Sequence, residues 1–190
     1  MKPISVTSSK AQSHKTFALI PYPAPNIPAI EITGTVTRLD NHIAVHYVLH
    51  GDIENILFPA SSSTPTRKDD LWKATCFEFF IAIQNQPRYW EFNMSPSGNW
   101  NVYAMDAYRQ VNMREELAFT ELSFEFIKTK DEVLLDISVD LNPMLQPENI
   151  LQISVTTIVQ TTDGNETYWA LAHHGQYADF HLRESFVIEL

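Results

Sequence analysis

The chain has 190 residues and a net charge of −10, with 44% hydrophobic and 19% charged side chains. Those proportions suit one globular domain, and the acidity repels phosphate backbones and anionic lipid, so neither nucleic acid nor a membrane is an expected partner. The single cysteine, Cys76, excludes an internal disulfide and a cysteine-rich metal site; with no apolar run long enough to span a membrane, the expected compartment is the cytoplasm.

Residues 1–29 are rich in serine and proline (Pro21, Pro23, Pro25, Pro28) and read as an irregular lead-in without a secretion signal. Residues 30–190 read as a single ligand-binding domain. Period-two alternation marks strands at "IEITGTVTRL", "HIAVHYVLHG", "FEFFIAIQ", "YWEFNM", "NWNVYAM", "FTELSFEFI", "EVLLDISVDL", "ILQISVTTIVQ", "TYWALAHH" and "SFVIEL". Turn residues separate many of them, and only "MREELAF" offers a helical turn. About ten short strands with short links predict an all-β antiparallel sandwich, because a parallel sheet would need crossover helices.

The segment from Tyr89 to Arg109 holds the most informative chemistry. With "NQPR" as a four-residue loop, Gln84 faces Tyr89, Ala82 faces Glu91 and Phe80 faces Asn93; Ile83, Ile81 and Phe79 then face Trp90, Phe92 and Met94 on an apolar core side. The next loop, "PSG", fits a three-residue turn with Gly98 left-handed. It sets Asn93 against Asn101 and Glu91 against Tyr103, and sends Trp90 and Trp100 into the core. The opposite face carries Glu78, Phe80, Glu91, Asn93, Asn101 and Tyr103. It reads either as a solvated outer sheet or as a shallow platform whose rings cover a sugar while amides and carboxylates hold its hydroxyls.

Other constellations are weaker. His42, His46 and His50 share a strand face about 13 Å apart, too far to share an ion. His173, His174 and His181 lie in "HHGQYADFH", where a loop either gathers a metal or simply presents polar side chains. Glu78 and Glu91 lie on adjacent strands, but a flat open face would not raise a carboxyl pKa enough for general-acid catalysis, so no catalytic residue is expected. Cys76 reads as a small buried hydrophobe. Arg109 is either a surface ion pair or a planar fork for a ligand.

Three blocks, "RKDDLWKATCFEFFI", "YWEFNMSPSGNWNVYAMDAYRQVNM" and "YWALAHHGQYADFH", resemble the DOMON-like domains, and within them the subgroup related to family 9 carbohydrate-binding modules. The resemblance spans roughly residues 67 to 181 and implies an antiparallel sandwich that binds a sugar or, in other branches, haem. Its motif falls on Arg67, Asp69, Trp72 and Glu78, then on Glu91, Asn93, Ser95, Gly98, Trp100, Tyr108 and Arg109. In the last block it falls on Trp169, His173, Asp179, Phe180 and His181. Asn112 replaces a usual glycine, and His174 and Ala178 replace usual prolines, which loosens that last loop.

The expected function is non-catalytic binding of a carbohydrate or sugar-containing metabolite. Trp72 and Tyr103 would stack on the sugar, Glu78, Asn93 and Arg109 would hold hydroxyls, and His174, Asp179 and His181 would close one end. A haem-binding electron-transfer domain is the alternative, with Met94 or Met113 paired to His173, His174 or His181, although the register buries Met94 and no CxxCH motif is present. A protein-interaction scaffold using a sheet edge is the third reading.

Overall fold

In the computed structural model, which describes residues 12–109 and 113–190, two antiparallel sheets enclose one main core. The first has the order β1 (Gln12–Ala18), β3 (Ile30–Leu39), β4 (His42–Gly51), β10 (Glu132–Asp140), β9 (Phe124–Lys128). The second runs β2 (Ile20–Pro21), β12 (Glu166–Ala170), β11 (Leu151–Gln160), β5 (Cys76–Ile83), β6 (Tyr89–Met94), β7 (Trp100–Met105), β8 (Arg114–Glu115), with β13 (Ile188–Glu189) also paired to β11. The all-β antiparallel sandwich follows from the alternation. In β4, Ile43, Val45, Tyr47 and Leu49 point inward, while His42, Ala44 and His50 are exposed. The inward faces of β5, β6 and β7 complete the core, with Phe79 stacked on Phe92 at 4.5 Å.

Four expectations need correction. Residues 12–21, inside the supposed irregular lead-in, form β1 on the first sheet and β2 on the second. The prolines cluster after Ala18, so they leave the alternating "QSHKTFA" free to pair with β3. The helical turn at "MREELAF" does not form; Arg114 and Glu115 pair with β7 instead.

The third correction is the register of the β5–β6 hairpin, which is displaced by two residues. Ala82 faces Tyr89, Phe80 faces Glu91 and Glu78 faces Asn93. Pro87 has no N–H to donate, Asn85 turns left-handed at φ 61°, and Gln84 donates its N–H to Ile150 across the sheet instead. Six residues, 83–88, therefore separate the last β5–β6 pair, with Ile83 still paired to Leu151 on β11. A shift of two preserves which side chains share a face. The "PSG" hairpin is as expected: Met94 faces Trp100, Ser95 N–H donates to Asn99 O at 2.9 Å, and Gly98 is left-handed at φ 87°. Trp90 and Trp100 are core residues, each 4% exposed.

The outer face of β5–β6–β7 is neither a solvated sheet nor an open platform. Phe80, Ala82, Tyr89, Tyr103 and Met105 form a second apolar cluster there. Phe180 and Phe186 from the chain after β12 join it, and Trp72 from the 3-10 turn Leu71–Lys73 packs against it. These two segments roof the face.

Candidate functional site

Beneath the roof lies a cavity of about 320 Å³, lined by Trp72, Glu78, Phe80, Glu91, Arg109, Met113, Ile158, Tyr168, Ala178, Phe180 and His181. Its floor is the outer face of β5, β6, β11 and β12, where alternation sends Glu78, Phe80, Glu91, Ile158 and Tyr168 away from the core. Trp72 and the 178–181 segment supply its walls.

The roof changes the chemistry of the two carboxylates. Glu78 is 2% exposed and Glu91 5%, so the flat open face expected for them does not exist. Burial drives the Glu78 carboxyl well above its usual range, and the neighbouring Glu91 pushes it further. Burial raises Glu91 to about 7, against the opposing pull of the Asn93 amide and the Arg109 guanidinium. Asn93 Nδ2 donates to Glu91 Oε1 at 2.7 Å, and Thr156 Oγ1 donates to Glu78 Oε2 at 3.3 Å. Among the described residues, Glu78 Oε1 is buried without an N–H or O–H donor, and the Cys76 thiol is the weak donor bearing on this carboxyl.

Arg109 and Asp179 form the second polar unit. The guanidinium donates from Nη2 to Asp179 Oδ1 at 3.0 Å and from Nε to Oδ2 at 3.2 Å. Tyr108 Oη donates to the same carboxylate at 2.6 Å, and so does the His181 backbone N–H at 3.0 Å. Burial alone would raise Asp179, but the bonds from Arg109 and Tyr108 outweigh it and hold its pKa below the usual carboxylate value. Arg109 thus serves as a bridge between the cavity and the 178–181 segment, and it holds a left-handed φ of 42° to do so. His181 lies 3.0 Å from Tyr89 Oη through Nδ1 and 4.0 Å from Glu91 through Nε2. Burial and then Arg109 lower it to about 4, so its contact with Glu91 is not an ion pair near neutrality.

Of the expected site residues, the fold gathers Trp72, Glu78, Arg109 and His181 around the cavity. Asn93 is fully buried and positions Glu91 from behind. Asp179 anchors Arg109. Tyr103 does not present a free ring: it is 2% exposed, lies edge-on behind Trp72 at 5.7 Å, donates to Asp69 and accepts from Asn101. His174 is exposed and does not line the cavity. The remaining motif residues Arg67 and Asp69 are also structural. Arg67 lies over Trp100 at 4.4 Å and donates to Asn101 and to the Glu116 carbonyl.

Tyr168 and Ile158 were missed. Trp169 is buried in the core, so its neighbour Tyr168 points to the opposite face of β12, and Ile158 on β11 pairs with Tyr168. Ala178, at a usual proline position, lines the cavity, and Asn112 lies outside the described residues.

The histidines do not converge. His173 lies 3.0 Å from the Ile20 carbonyl and edge-on to Tyr22. His42, His46 and His50 each face a carboxylate on β10: Asp140 at 3.9 Å, Asp136 at 2.6 Å and Glu132 at 3.7 Å. Among the described residues, no group of three His, Cys, Asp or Glu side chains is placed to share a metal ion. Met94 lies fully buried in the main core, whereas Met113 lines the cavity. Cys76 is buried, with its thiol pKa driven up first by burial and then by Glu78.

No family model matches the chain, and no curated protein matches it in sequence. Solved structures do match its fold. A candidate carbohydrate-binding protein from Bacteroides uniformis superposes with a TM-score of 0.60 at 12% identity, covering 90% of this chain and 83% of that one. A family 9 carbohydrate-binding module from Caldicellulosiruptor kristjanssonii, solved with cellotriose, gives a TM-score of 0.51 at 12% identity, covering 81% and 71%. The chain therefore has the sandwich fold of family 9 carbohydrate-binding modules.

Proposed function

We propose that this chain binds a carbohydrate or a sugar-containing metabolite in the roofed cavity, without chemically altering it. The observation that carries the reading is one cavity of about 320 Å³ combining four aromatic rings (Trp72, Phe80, Tyr168, Phe180) with Glu78, Glu91, Arg109 and His181. A sugar ring has apolar C–H faces and a hydroxyl rim, so it needs such a mixture of flat rings and fixed hydrogen-bonding groups. The volume is at the small end for ligand pockets, roughly 300–1,000 Å³, which favours a short saccharide over a long chain. Two structural neighbours, one described as a candidate carbohydrate-binding protein and one solved with cellotriose, support the same reading.

Hydroxyls must leave water before they bind, so the affinity should lie between micromolar and millimolar, about −8 to −4 kcal/mol. A glycan array followed by titration calorimetry tests this. Trp72 is only partly buried, so Trp72→Ala should leave the fold intact and weaken binding at least about tenfold, or about 1.4 kcal/mol. Absence of saccharide binding at millimolar concentration would refute the proposal.

A further inference from the structure

We propose that the ligand of this cavity is an amino sugar, seated with its protonated amine against Glu78 and Glu91. This rests on the carbohydrate reading above and specifies the substrate class.

The first support is an unmet acceptor. Among the described residues, Glu78 Oε1 is buried on a cavity-lining side chain with no N–H or O–H donor, only the weak Cys76 thiol bearing on that carboxyl, while Oε2 accepts from Thr156 at 3.3 Å. A buried carboxyl oxygen without a strong donor is unfavourable, and the side chain that carries it lines the cavity, where a ligand can supply one.

The second is the balance of charge. Glu78 and Glu91 are diagonal neighbours on adjacent strands, since Glu78 faces Asn93 and Glu91 lies two residues away on the same face, about 7–8 Å apart by strand geometry. Among the described residues, the cation lining this cavity is Arg109, which is already bidentate with Asp179, so that pair contributes no net charge. His181 is uncharged near neutrality. Two acids thus face the cavity with no cation assigned to them. A neutral sugar would supply hydroxyl donors, yet would leave the pair holding protons, because burial and mutual repulsion oppose ionising both. An ammonium brings three donors and the compensating charge together.

The third is the apolar lining. Trp72, Phe80, Tyr168 and Phe180 would cover the sugar ring, and an aromatic face also attracts a cation. The two requirements meet in one molecule: a flat hydroxylated ring bearing an ammonium.

Titration calorimetry on the wild-type protein at neutral pH decides the matter. Glucosamine, galactosamine and mannosamine are compared with glucose, galactose and mannose, with N-acetylglucosamine, and with cyclohexylamine. At least one amino sugar should bind about tenfold or more tighter than both its parent sugar and N-acetylglucosamine, about 1.4 kcal/mol. Equal or tighter binding of the parent sugars overturns the amine assignment and leaves the carbohydrate reading standing. Cyclohexylamine binding as tightly as the amino sugars overturns the sugar assignment, and binding of none of these ligands overturns both. Glu78→Gln keeps the shape and removes the charge, so it should abolish the advantage of the amino sugar. An undiminished advantage in folded Glu78→Gln protein overturns the role given to that carboxylate.

Discussion

Glu91 is the residue whose environment has the plainest consequence for the folded state. Its pKa is raised to about 7 by burial, against about 4.3 in an unfolded chain. At pH below the unfolded value both states hold the proton, and the full stability is present. Between the two values only the folded state holds it, so stability falls as pH rises and levels off above about 7. The integrated loss is on the order of 4 kcal/mol. Glu91→Gln should remove this component while keeping an acceptor for the Asn93 amide. Urea denaturation between pH 4 and 8 should therefore show the variant gaining on wild type as pH rises; parallel curves would contradict the raised pKa. Tyr103 and Trp100 make a second pair of tests. Trp100→Ala should cost about 3–5 kcal/mol through the cavity it leaves in the main core. Tyr103→Phe keeps the ring but deprives Asp69 of a donor and Asn101 of an acceptor, so it should cost about 1–3 kcal/mol. A Tyr103→Phe protein as stable as wild type would show that the hydroxyl bonds contribute little.

Among the strands, β3 and β4 approach so closely at Gly34 that a β-carbon there would lie 1.9 Å from the His46 carbonyl oxygen. Phe17 on β1 covers the same glycine, its ring 2.5 Å from that position. Gly34→Ala must push β3 away from β4 or displace a buried ring, and should cost about 1–3 kcal/mol or more. Gly164→Ala serves as the comparison: it is left-handed at φ 87° with nothing within 4 Å, so only the conformational penalty of about 1 kcal/mol applies. Chemical denaturation should rank Gly34→Ala as the more damaging, and the opposite order would exclude the close approach. The hairpins show how far a strand can be read from its residues. Alternation placed Trp90, Phe92, Trp100 and Val102 on the core side and Glu78, Glu91 and Asn93 on the other. It did not determine which residues of β5 and β6 are partners, because Pro87 and Asn85 lengthen the loop by an even number and every such register preserves the faces.

For the whole molecule, the architecture followed from strand count and turn chemistry, while the roof over the site did not. The segments that cover the outer face are irregular: the turn Leu71–Lys73 lies just before β5, but the segment carrying Phe180 and Phe186 is remote in sequence, and its position depends on long-range contacts such as Arg109 with Asp179, which no local pattern encodes. That is why the carboxylates read as exposed, and why Tyr103 read as a stacking ring although Trp72 covers it. Tyr168 would be legible from its alternation with Trp169 if Trp169 were read as a core residue, but in the sequence Trp169 stands only as a motif residue.

The disposition of the tryptophans also has an optical consequence. Of the four in the chain, Trp90, Trp100 and Trp169 are buried in the main core, and Trp72 is the partly exposed one, on the cavity wall. Iodide or acrylamide should therefore quench one component of the intrinsic emission and largely spare the other three. A ligand in the cavity should shield that component, so the unlabelled protein can report occupancy of its own site. Loss of the quenchable fraction in Trp72→Ala, with the blue-shifted remainder unchanged, would establish the assignment.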